Sequence, residues 1–347
     1  MINSRKKLEV NEKSLLSPYA SLSSRSVGRA KKEKKCTLRT EYQRDRDRII
    51  HSKSFRRLKD KTQVFLAPYG DHFRTRLTHV LEVSQISRTI SRSLSLNEDL
   101  SEAIALGHDL GHTPFGHAGE QALDKIHKKG FKHYMQSLRI VEFLEKNGKG
   151  LNLTFEVKDG ISKHSKGTGP IVNKRIKIHT LEGQVVRLSD IFAYFTHDLD
   201  DALRSSLIKK KDIPLKLIRF FGEKHSERIS KVVSDTIENT MNMNYKAVAI
   251  SKELEDNLVD MRSFLFEKVY YNPVIKVNFE KAKKVLMDLY SFFLVNEKAL
   301  REFYKFNSGN YSDDCCDFIA GMSDDFALEI HKSIFVPKKW SFVDFKV

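Results

Sequence analysis

The sequence predicts an all-α protein, and three observations support this. Apolar side chains recur at helical spacing through long segments of the chain. Short linkers, as at Pro214 and Pro273, separate those segments. Residues 151–157 (LNLTFEV) are the one stretch that alternates as a half-buried strand does. We therefore expect a helical fold with one short strand at most.

The N-terminal part of the chain differs in composition from the rest. Residues 1–38 are rich in Ser, Lys and Arg, and we expect them to form a basic, loosely ordered arm. Residues 39–347 are expected to form a single helical domain. At its start, charges of both signs interleave from Thr40 to Lys59, a pattern typical of a solvated helix face.

Three longer helices follow from the apolar pattern. The first is a long amphipathic helix from Phe73 to Leu94. Asn97 can cap the next helix, from Glu98 to Gly107. Between Lys146 and Arg175 the periodicity is lost, so we expect loops with at most short helices. Helices resume with the segment from Leu181 to Ile208.

Composition limits the class of protein. No apolar run approaches the ~20 residues of a membrane span, and residues 1–10 are charged where a secretory signal would be apolar. Cys36, Cys315 and Cys316 do not form a disulfide framework. We therefore expect a cytoplasmic protein without a membrane segment.

The chain carries a large positive charge. Lys and Arg number 61 and Asp and Glu 45, so the formal net charge is +16. Such an excess favours anionic partners, such as nucleotides, nucleic acid or an anionic surface. It is equally compatible with a basic enzyme whose charge keeps it in solution. Charge alone does not separate a triphosphate from a polynucleotide.

The most informative segment runs from residue 105 to 120 and holds three histidines, an aspartate and a glutamate. The adjacent His108 and Asp109 offer an imidazole nitrogen and a hard carboxylate oxygen, which suit a divalent metal ion. His117 and Glu120 are three residues apart. In a helix this spacing lets the carboxylate orient the imidazole for general acid–base catalysis.

Two ligands do not complete a catalytic metal site, so others must come from elsewhere. His79 lies on the predicted amphipathic helix and is the first candidate. A lone histidine on such a helix is more often a hydrogen-bonded core residue than a ligand. A hairpin of two helices would bring His79 close to His108 and Asp109.

An acidic stripe on a later helix offers a fourth ligand. Asp190, Tyr194 and Asp198 share one face, because four residues overshoot a helical turn by only about 40°. Acidic residues on helices are usually exposed, but the apolar flanks of this stripe favour a position facing a cavity. Asp200 and Asp201 point elsewhere, and we expect them to be solvated.

Several motifs in the same order resemble the HD-domain deoxynucleoside triphosphate triphosphohydrolases, in the dGTP triphosphohydrolase-like branch. The resemblance covers the chain from about Leu16 to Phe335. The motifs are Phe55–Phe65, Arg76–His79, His108–Glu120 and Leu181–Val186. The resemblance implies an HD-domain helical fold with additional C-terminal helices and an HD core at about residues 72–205.

The resemblance also implies a role for individual side chains. The metal ligands would be His79, His108, Asp109 and Asp190. The catalytic pair would be His117 and Glu120. The α-phosphate contacts would be His112 and His133. The side chains that line the sugar and its phosphate would be Gln63, Arg76, Tyr194 and Asp198.

The implied reaction is hydrolysis of deoxynucleoside triphosphates at the α-phosphorus, giving a deoxynucleoside and inorganic triphosphate. The implied cofactor is a divalent ion: Mn, Mg, Fe, Co or Ni. Further expected partners are a nucleotide effector, single-stranded DNA and further copies of the chain in a homo-oligomer. The chain departs from the resemblance at Asp325-Phe326, where similar proteins usually have Arg-Tyr. The contacts of that pair are therefore not carried over.

Two alternative functions remain open at this point. An HD-domain nucleotidase acting on monophosphates would share the metal site, and its product would be orthophosphate. A nucleic-acid-binding protein with a vestigial site would account for the basic arm and the net charge. Against it, the sequence contains every expected ligand and shows no aromatic stacking motif.

Overall fold

The computed structural model describes residues 3–63, 74–165, 169–171 and 176–337. Within these ranges the chain is helical and forms no β-strand. Two isolated bridges, Arg29 with Thr154 and Thr62 with Thr75, are the only strand-like pairings there. The all-α prediction is therefore confirmed.

The helices are numbered in chain order. They are α1 Ser4–Leu15, α2 Glu41–Ile50, α3 Lys53–Arg57, α4 Arg76–Ser93, α5 Glu98–Gly107, α6 Gly116–Ile126, α7 His133–Arg139, α8 Glu145–Gly148, α9 Phe155–Lys163, α10 Leu181–Arg204, α11 Leu215–Phe221, α12 His225–Asn242, α13 Lys252–Leu265, α14 Pro273–Val295, α15 Glu297–Phe303, α16 Tyr311–Ala320 and α17 Asp324–Phe335.

The three helices predicted from periodicity all form. Helix α5 has the predicted bounds, and its N-terminus is capped by Asn97, whose side chain accepts from the Leu100 N–H. Helix α10 ends four residues before the predicted Ile208. Helix α4 begins at Arg76, while the predicted start at Phe73 lies outside the described residues.

The predicted strand at residues 151–157 is wrong. Leu151 and Leu153 are buried, but they lie in an irregular segment without a neighbouring strand. From Phe155 onward the chain is helix α9. The alternation therefore reflects two leucines that turn into the core just before a helix begins.

The prediction of a solvated face for residues 40–59 is wrong for the acidic side chains of α2. Glu41 and Asp45 on α2 are buried. Arg29 pairs with both carboxylates, and the Thr154 N–H donates to Asp45 Oδ2 at 2.8 Å. Because the opposite charge comes from a distant segment, the local sequence gave no sign of this burial.

Part of the N-terminal segment packs against the helices. Residues 4–15 form α1, and Glu12 accepts from the Ser23 N–H at 2.8 Å. The buried Glu182 accepts from the backbone N–H of Ser21 at 2.9 Å and of Asn97 at 3.0 Å. The boundary of an arm at residue 38, the single domain 39–347 and an HD core at 72–205 stay predictions.

The elements that carry the candidate site residues come from two hydrophobic clusters. The larger is built mainly from α2, α4, α5 and α9–α13, and the smaller from α6 and α14–α17. His79, His108 and Asp190 belong to elements of the larger cluster, while His117 and Glu120 lie on α6. None of the described helices is long and apolar enough to cross a membrane.

Candidate active site

Four side chains predicted as metal ligands converge from three elements. His79 Nε2 on α4 lies 3.2 Å from Asp190 Oδ1 on α10, and 4.0 Å from Asp109 Oδ2. His108 Nε2, just after α5, lies 3.6 Å from both Asp109 Oδ1 and Asp190 Oδ1. The structure therefore brings two imidazoles and two carboxylates to one point.

The donor atoms at this point fit a divalent cation. Nδ1 of His108 donates to the Ala105 carbonyl at 2.6 Å, so the neutral ring, which is the form that binds a metal ion, has its lone pair on Nε2. That Nε2 is buried and has no hydrogen-bond partner among the described residues. A buried acceptor flanked by two carboxylates is the arrangement in which imidazole binds a metal ion, and a mixed nitrogen and oxygen set suits first-row divalent ions.

The electrostatics of the centre favour a cation. Burial raises the pKa values of Asp109 and Asp190, but neighbouring histidines, joined by Arg76 at Asp109, hold both well below the usual range. Burial lowers the pKa of His108, and the two carboxylates more than offset this and raise it to about 9. Asp109 and Asp190 are thus ionised, which is the form that binds a metal ion.

A second group of side chains lies beside the four ligands. His112 stacks on His133, with ring centroids 4.6 Å apart. Glu120 Oε2 lies 3.0 Å from His133 Nδ1 and 3.8 Å from His117 Nδ1. Burial raises the pKa of Glu120, but the neighbouring imidazoles of His117 and His133 hold it far below the usual range. The carboxylate therefore orients His133 more closely than His117, whose side chain is half exposed.

The sequence analysis did not include His164, a buried histidine at the end of α9. Its Nδ1 donates to the Ile161 carbonyl at 2.7 Å, so its Nε2 can only accept. His133 Nε2, 3.2 Å away, must then donate to it. Burial, with the charges of His108 and His133, lowers the pKa of His164 to about 3. Acceptors therefore face both ring nitrogens of His133, Glu120 at Nδ1 and His164 at Nε2.

The acidic stripe of α10 packs against a second tyrosine, Tyr270. Asp198 is fully buried and accepts a hydrogen bond from the Tyr270 hydroxyl. The rings of Tyr194 and Tyr270 stack with centroids 5.8 Å apart. Burial raises the pKa of Asp198 well above its usual value, although the Tyr270 hydrogen bond opposes this. The sequence analysis missed Tyr270, because it is 72 residues from its partner and carries no motif.

The remaining predicted contacts, Gln63 and Arg76, lie at the edge of the centre. Arg76 is buried and its guanidinium pairs with Asp109. Gln63 is buried, and its Oε1 has no hydrogen-bond partner within the ranges that the structure describes. A side chain at Gly116 would come within 3.3 Å of both the Gln63 carbonyl and the Arg76 guanidinium, so glycine lets these segments approach closely.

The expectation that Asp200 and Asp201 are solvated is wrong. Asp201 is buried, and its Oδ1 lies 2.7 Å from Arg74 NH1. Asp200 pairs with Arg228 and lies 2.8 Å from His225 Nδ1. Both carboxylates face cations supplied by α12 and by the segment before α4, which helical spacing alone does not reveal.

Asp325 and Phe326, where the chain departs from similar proteins, make none of the site contacts described above. Asp325 is exposed at the start of α17. Phe326 packs in the smaller hydrophobic cluster, with its ring centroid 6.3 Å from that of Phe303.

The fold and the site now define a class. Residues 76–194 match the HD domain, and residues 248–333 match the phosphohydrolase-associated domain. The protein is therefore an enzyme of the HD-domain phosphohydrolase class.

Curated relatives narrow the class to a family. Three similar proteins are named deoxyguanosinetriphosphate triphosphohydrolase-like protein. The one from Caldanaerobacter subterraneus is 54% identical to this chain, over 95% of both chains. The relative from Desulfatibacillum aliphaticivorans is 47% identical, over 96% of this chain and 98% of its own. The relative from Clostridium tetani is also 47% identical, over 96% of this chain and 97% of its own. The chain belongs to this deoxyguanosinetriphosphate triphosphohydrolase-like family.

A solved structure of a hypothetical protein from Aquifex aeolicus is also similar. It is 20% identical, covers 85% of this chain and 68% of its own, and has a TM-score of 0.47. That likeness is too weak to inform the site.

Proposed function

We propose that this protein hydrolyses deoxynucleoside triphosphates at the α-phosphorus and releases a deoxynucleoside and inorganic triphosphate. The observation that carries the proposal is the convergence of His79, His108, Asp109 and Asp190 beside the His112–His133 stack. The names of the relatives support a nucleoside triphosphate as the substrate. A nucleotide effector, single-stranded DNA, a homo-oligomer and a cytoplasmic location stay predictions.

The four converging side chains would hold one divalent ion, with Mn, Mg, Fe, Co and Ni all compatible with their donor atoms. When bound, such an ion supplies Lewis acidity at an α-phosphate oxygen and helps position water. Asp190 keeps a quarter of its side-chain surface exposed, whereas His79 and His108 are buried. The open side of the centre is therefore the side that substrate can reach.

In the proposed reaction water attacks the α-phosphorus and the bond from phosphorus to O5′ breaks. The solvent oxygen stays on the triphosphate, and O5′ leaves with the deoxynucleoside and gains a proton. His117 supplies that proton from Nε2, because its Nδ1 faces Glu120. Its ring centroid lies 6.4 Å from that of Tyr194, which places it on the sugar side.

His112 and His133 would lie where negative charge grows on the phosphate oxygens. Groups already fixed in place before the reaction stabilise such charge without reorganisation. Glu120 and His164 hold His133 from both ring nitrogens, so its ring would act on the phosphate through its position in the stack rather than through a free N–H. The chain therefore fixes the orientation of this imidazole before substrate binds.

The sugar would bind against Tyr194 and Asp198. The Tyr194 ring, stacked on Tyr270, leaves little room for a 2′-hydroxyl and so favours 2′-deoxy substrates. Asp198, held by Tyr270, would pair with the 3′-hydroxyl together with Gln63.

Product analysis tests the proposal. Purified protein is incubated with each dNTP, singly and mixed, with Mn, Mg, Fe, Co and Ni ions in turn, and the phosphate product is identified. Inorganic triphosphate with an equimolar deoxynucleoside is the expected result. Orthophosphate, or no turnover of any dNTP with any of the five metals, would overturn it.

A further inference from the structure

One buried arginine, on α10, has no ion pair with a carboxylate in the described part of the chain. Arg187 on α10 is 6% exposed, and its NH2 is buried without a hydrogen-bond partner. No hydrogen bond or ion pair of Arg187 occurs among the residues that the structure describes. An unpaired buried guanidinium is costly, because the charge has lost its water.

Other buried arginines show the contrast. Arg29 pairs with Glu41 and Asp45, and Arg228 pairs with Asp200. Each of these charges is compensated inside the folded chain, as buried charges usually are. Arg187 is therefore distinguished by the lack of a carboxylate partner.

Arg187 lies on the face of α10 that carries the predicted site residues. Arg187, Asp190, Tyr194 and Asp198 are spaced by three, four and four residues, so they share one face of the helix. At 1.5 Å per residue, Arg187 lies about 4.5 Å before Asp190 along the helix axis and Asp198 about 12 Å after it. Burial lowers the pKa of Arg187, and the charge of Asp190 raises it in part, which is consistent with this proximity.

The order of these side chains matches the order of groups in a nucleoside triphosphate. Asp198 and Tyr194 stand at the sugar end and Asp190 at the α-phosphate. We infer that Arg187 binds the phosphates beyond the α-phosphate and so selects triphosphates over monophosphates. This inference rests on the proposed function for the direction of the nucleotide.

Arginine suits this task because its planar guanidinium offers several donors to phosphate oxygens at once. A charge-assisted contact of this kind changes affinity by about tenfold or more. The contact would be made to the leaving triphosphate as well as to the substrate. Inorganic triphosphate is therefore the direct probe of the site.

The first experiment measures binding of inorganic triphosphate and of orthophosphate at a fixed free concentration of Mn²⁺. Wild type is compared with Arg187→Gln and with the control Arg219→Gln, which makes the same change at an exposed position on α11. We expect Arg187→Gln to weaken triphosphate binding about tenfold or more and to leave orthophosphate binding within about twofold. The control should resemble wild type for both anions.

A second measurement separates this role from a structural one. Replacing an unpaired buried charge by an apolar side chain of similar length is often neutral or stabilising. Arg187→Met should therefore keep or raise the melting temperature of the free protein while losing the affinity for triphosphate. A lower melting temperature with unchanged triphosphate affinity would assign Arg187 to structure and overturn the inference.

The outcomes also separate this inference from the proposed function. Unchanged triphosphate binding in Arg187→Gln overturns the inference, whatever nucleotide the enzyme hydrolyses. If Arg187 is needed for triphosphate binding but no dNTP yields triphosphate, the anion site stands and the proposed reaction fails. If both hold, the KM for dNTPs should rise in Arg187→Gln with a smaller change in kcat.

Discussion

His79 Nε2 and Asp190 Oδ1 lie 3.2 Å apart although 111 residues separate them in the chain. Helices α4 and α10 pack against each other, and this contact aligns the imidazole of one with the carboxylate of the other. The candidate metal centre therefore depends on the packing of helices that are distant in the sequence. Substitution of one ligand at a time tests its contribution.

Asp190→Ala should abolish both metal retention and turnover, because it removes one of the two carboxylates of the centre. Metal content after dialysis and the rate of dNTP hydrolysis are the measurements. Asp256→Ala is a suitable control, since Asp256 is an exposed carboxylate paired with Lys252 on α13. An Asp190→Ala variant that keeps both metal and turnover would refute the ligand set.

Asp198→Ala should weaken the preference of the enzyme for substrates that carry a 3′-hydroxyl. Losing one partner of a buried polar contact costs about 1–3 kcal/mol, so kcat/KM for dNTPs should fall about 5- to 150-fold. The same substitution should change kcat/KM much less for 2′,3′-dideoxynucleoside triphosphates, which lack the hydroxyl. Equal losses for the two substrates would show that Asp198 acts through Tyr270 and the fold instead.

His164 should act as a positioning residue for His133. His164→Phe removes the Nε2 acceptor, and loss of such supporting partners typically reduces activity 10- to 100-fold. We expect the loss in kcat rather than KM, with partial rescue by His164→Gln, whose amide oxygen can accept. If both variants retain the wild-type kcat, the 3.2 Å contact between the two rings has no catalytic role.

Asp324 joins the C-terminal helices to the site. It accepts from the Thr62 N–H at 3.0 Å and from the Phe115 N–H at 2.9 Å, and Phe115 has a left-handed backbone with φ of 61°. Asp324→Ala should lower the free energy of unfolding by about 1–3 kcal/mol, because two backbone donors lose their acceptor. Chemical denaturation measures the change. Asp325→Ala, one residue along, is exposed and should lie within about 0.5 kcal/mol of wild type.

Lys61 predicts a dependence of stability on pH. Its buried amine donates to the carbonyls of His112 and Ala320, and burial, together with Arg57, lowers its pKa from 10.5 to about 7. Between these pH values the unfolded chain binds the proton and the folded chain does not, so raising the pH stabilises the fold.

Lys61→Met lacks that titration. The free energy of unfolding of wild type minus that of Lys61→Met should increase from about pH 7 to about pH 10.5. Urea denaturation across this range measures the difference. A constant difference would mean that the folded and unfolded states bind this proton equally.

The parts of this structure that follow from local spacing were predictable. The bounds of α5 follow from the Asn97 cap and the apolar period. The shared face of Asp190 and Asp198 follows from helical geometry. A hairpin of two helices suggested the grouping of His79 with His108, and the family resemblance implied the full ligand set, whose catalytic role stays a prediction.

The parts that depend on long-range contacts were not predictable from one sequence. The burial of Asp45 requires Arg29, and that of Asp201 requires Arg74. His164 and Tyr270 reach the site from other elements, and no spacing rule connects either to its partner. Sequence periodicity gives the face of a helix, but tertiary packing decides which charges meet there.

The position of bond cleavage tests the central claim most directly. A dNTP is hydrolysed in ¹⁸O-enriched water, and both products are examined by mass spectrometry. Attack at the α-phosphorus predicts one solvent oxygen in the inorganic triphosphate and none in the deoxynucleoside. Label in the deoxynucleoside, or in orthophosphate released from the end of the chain, would contradict the proposed reaction.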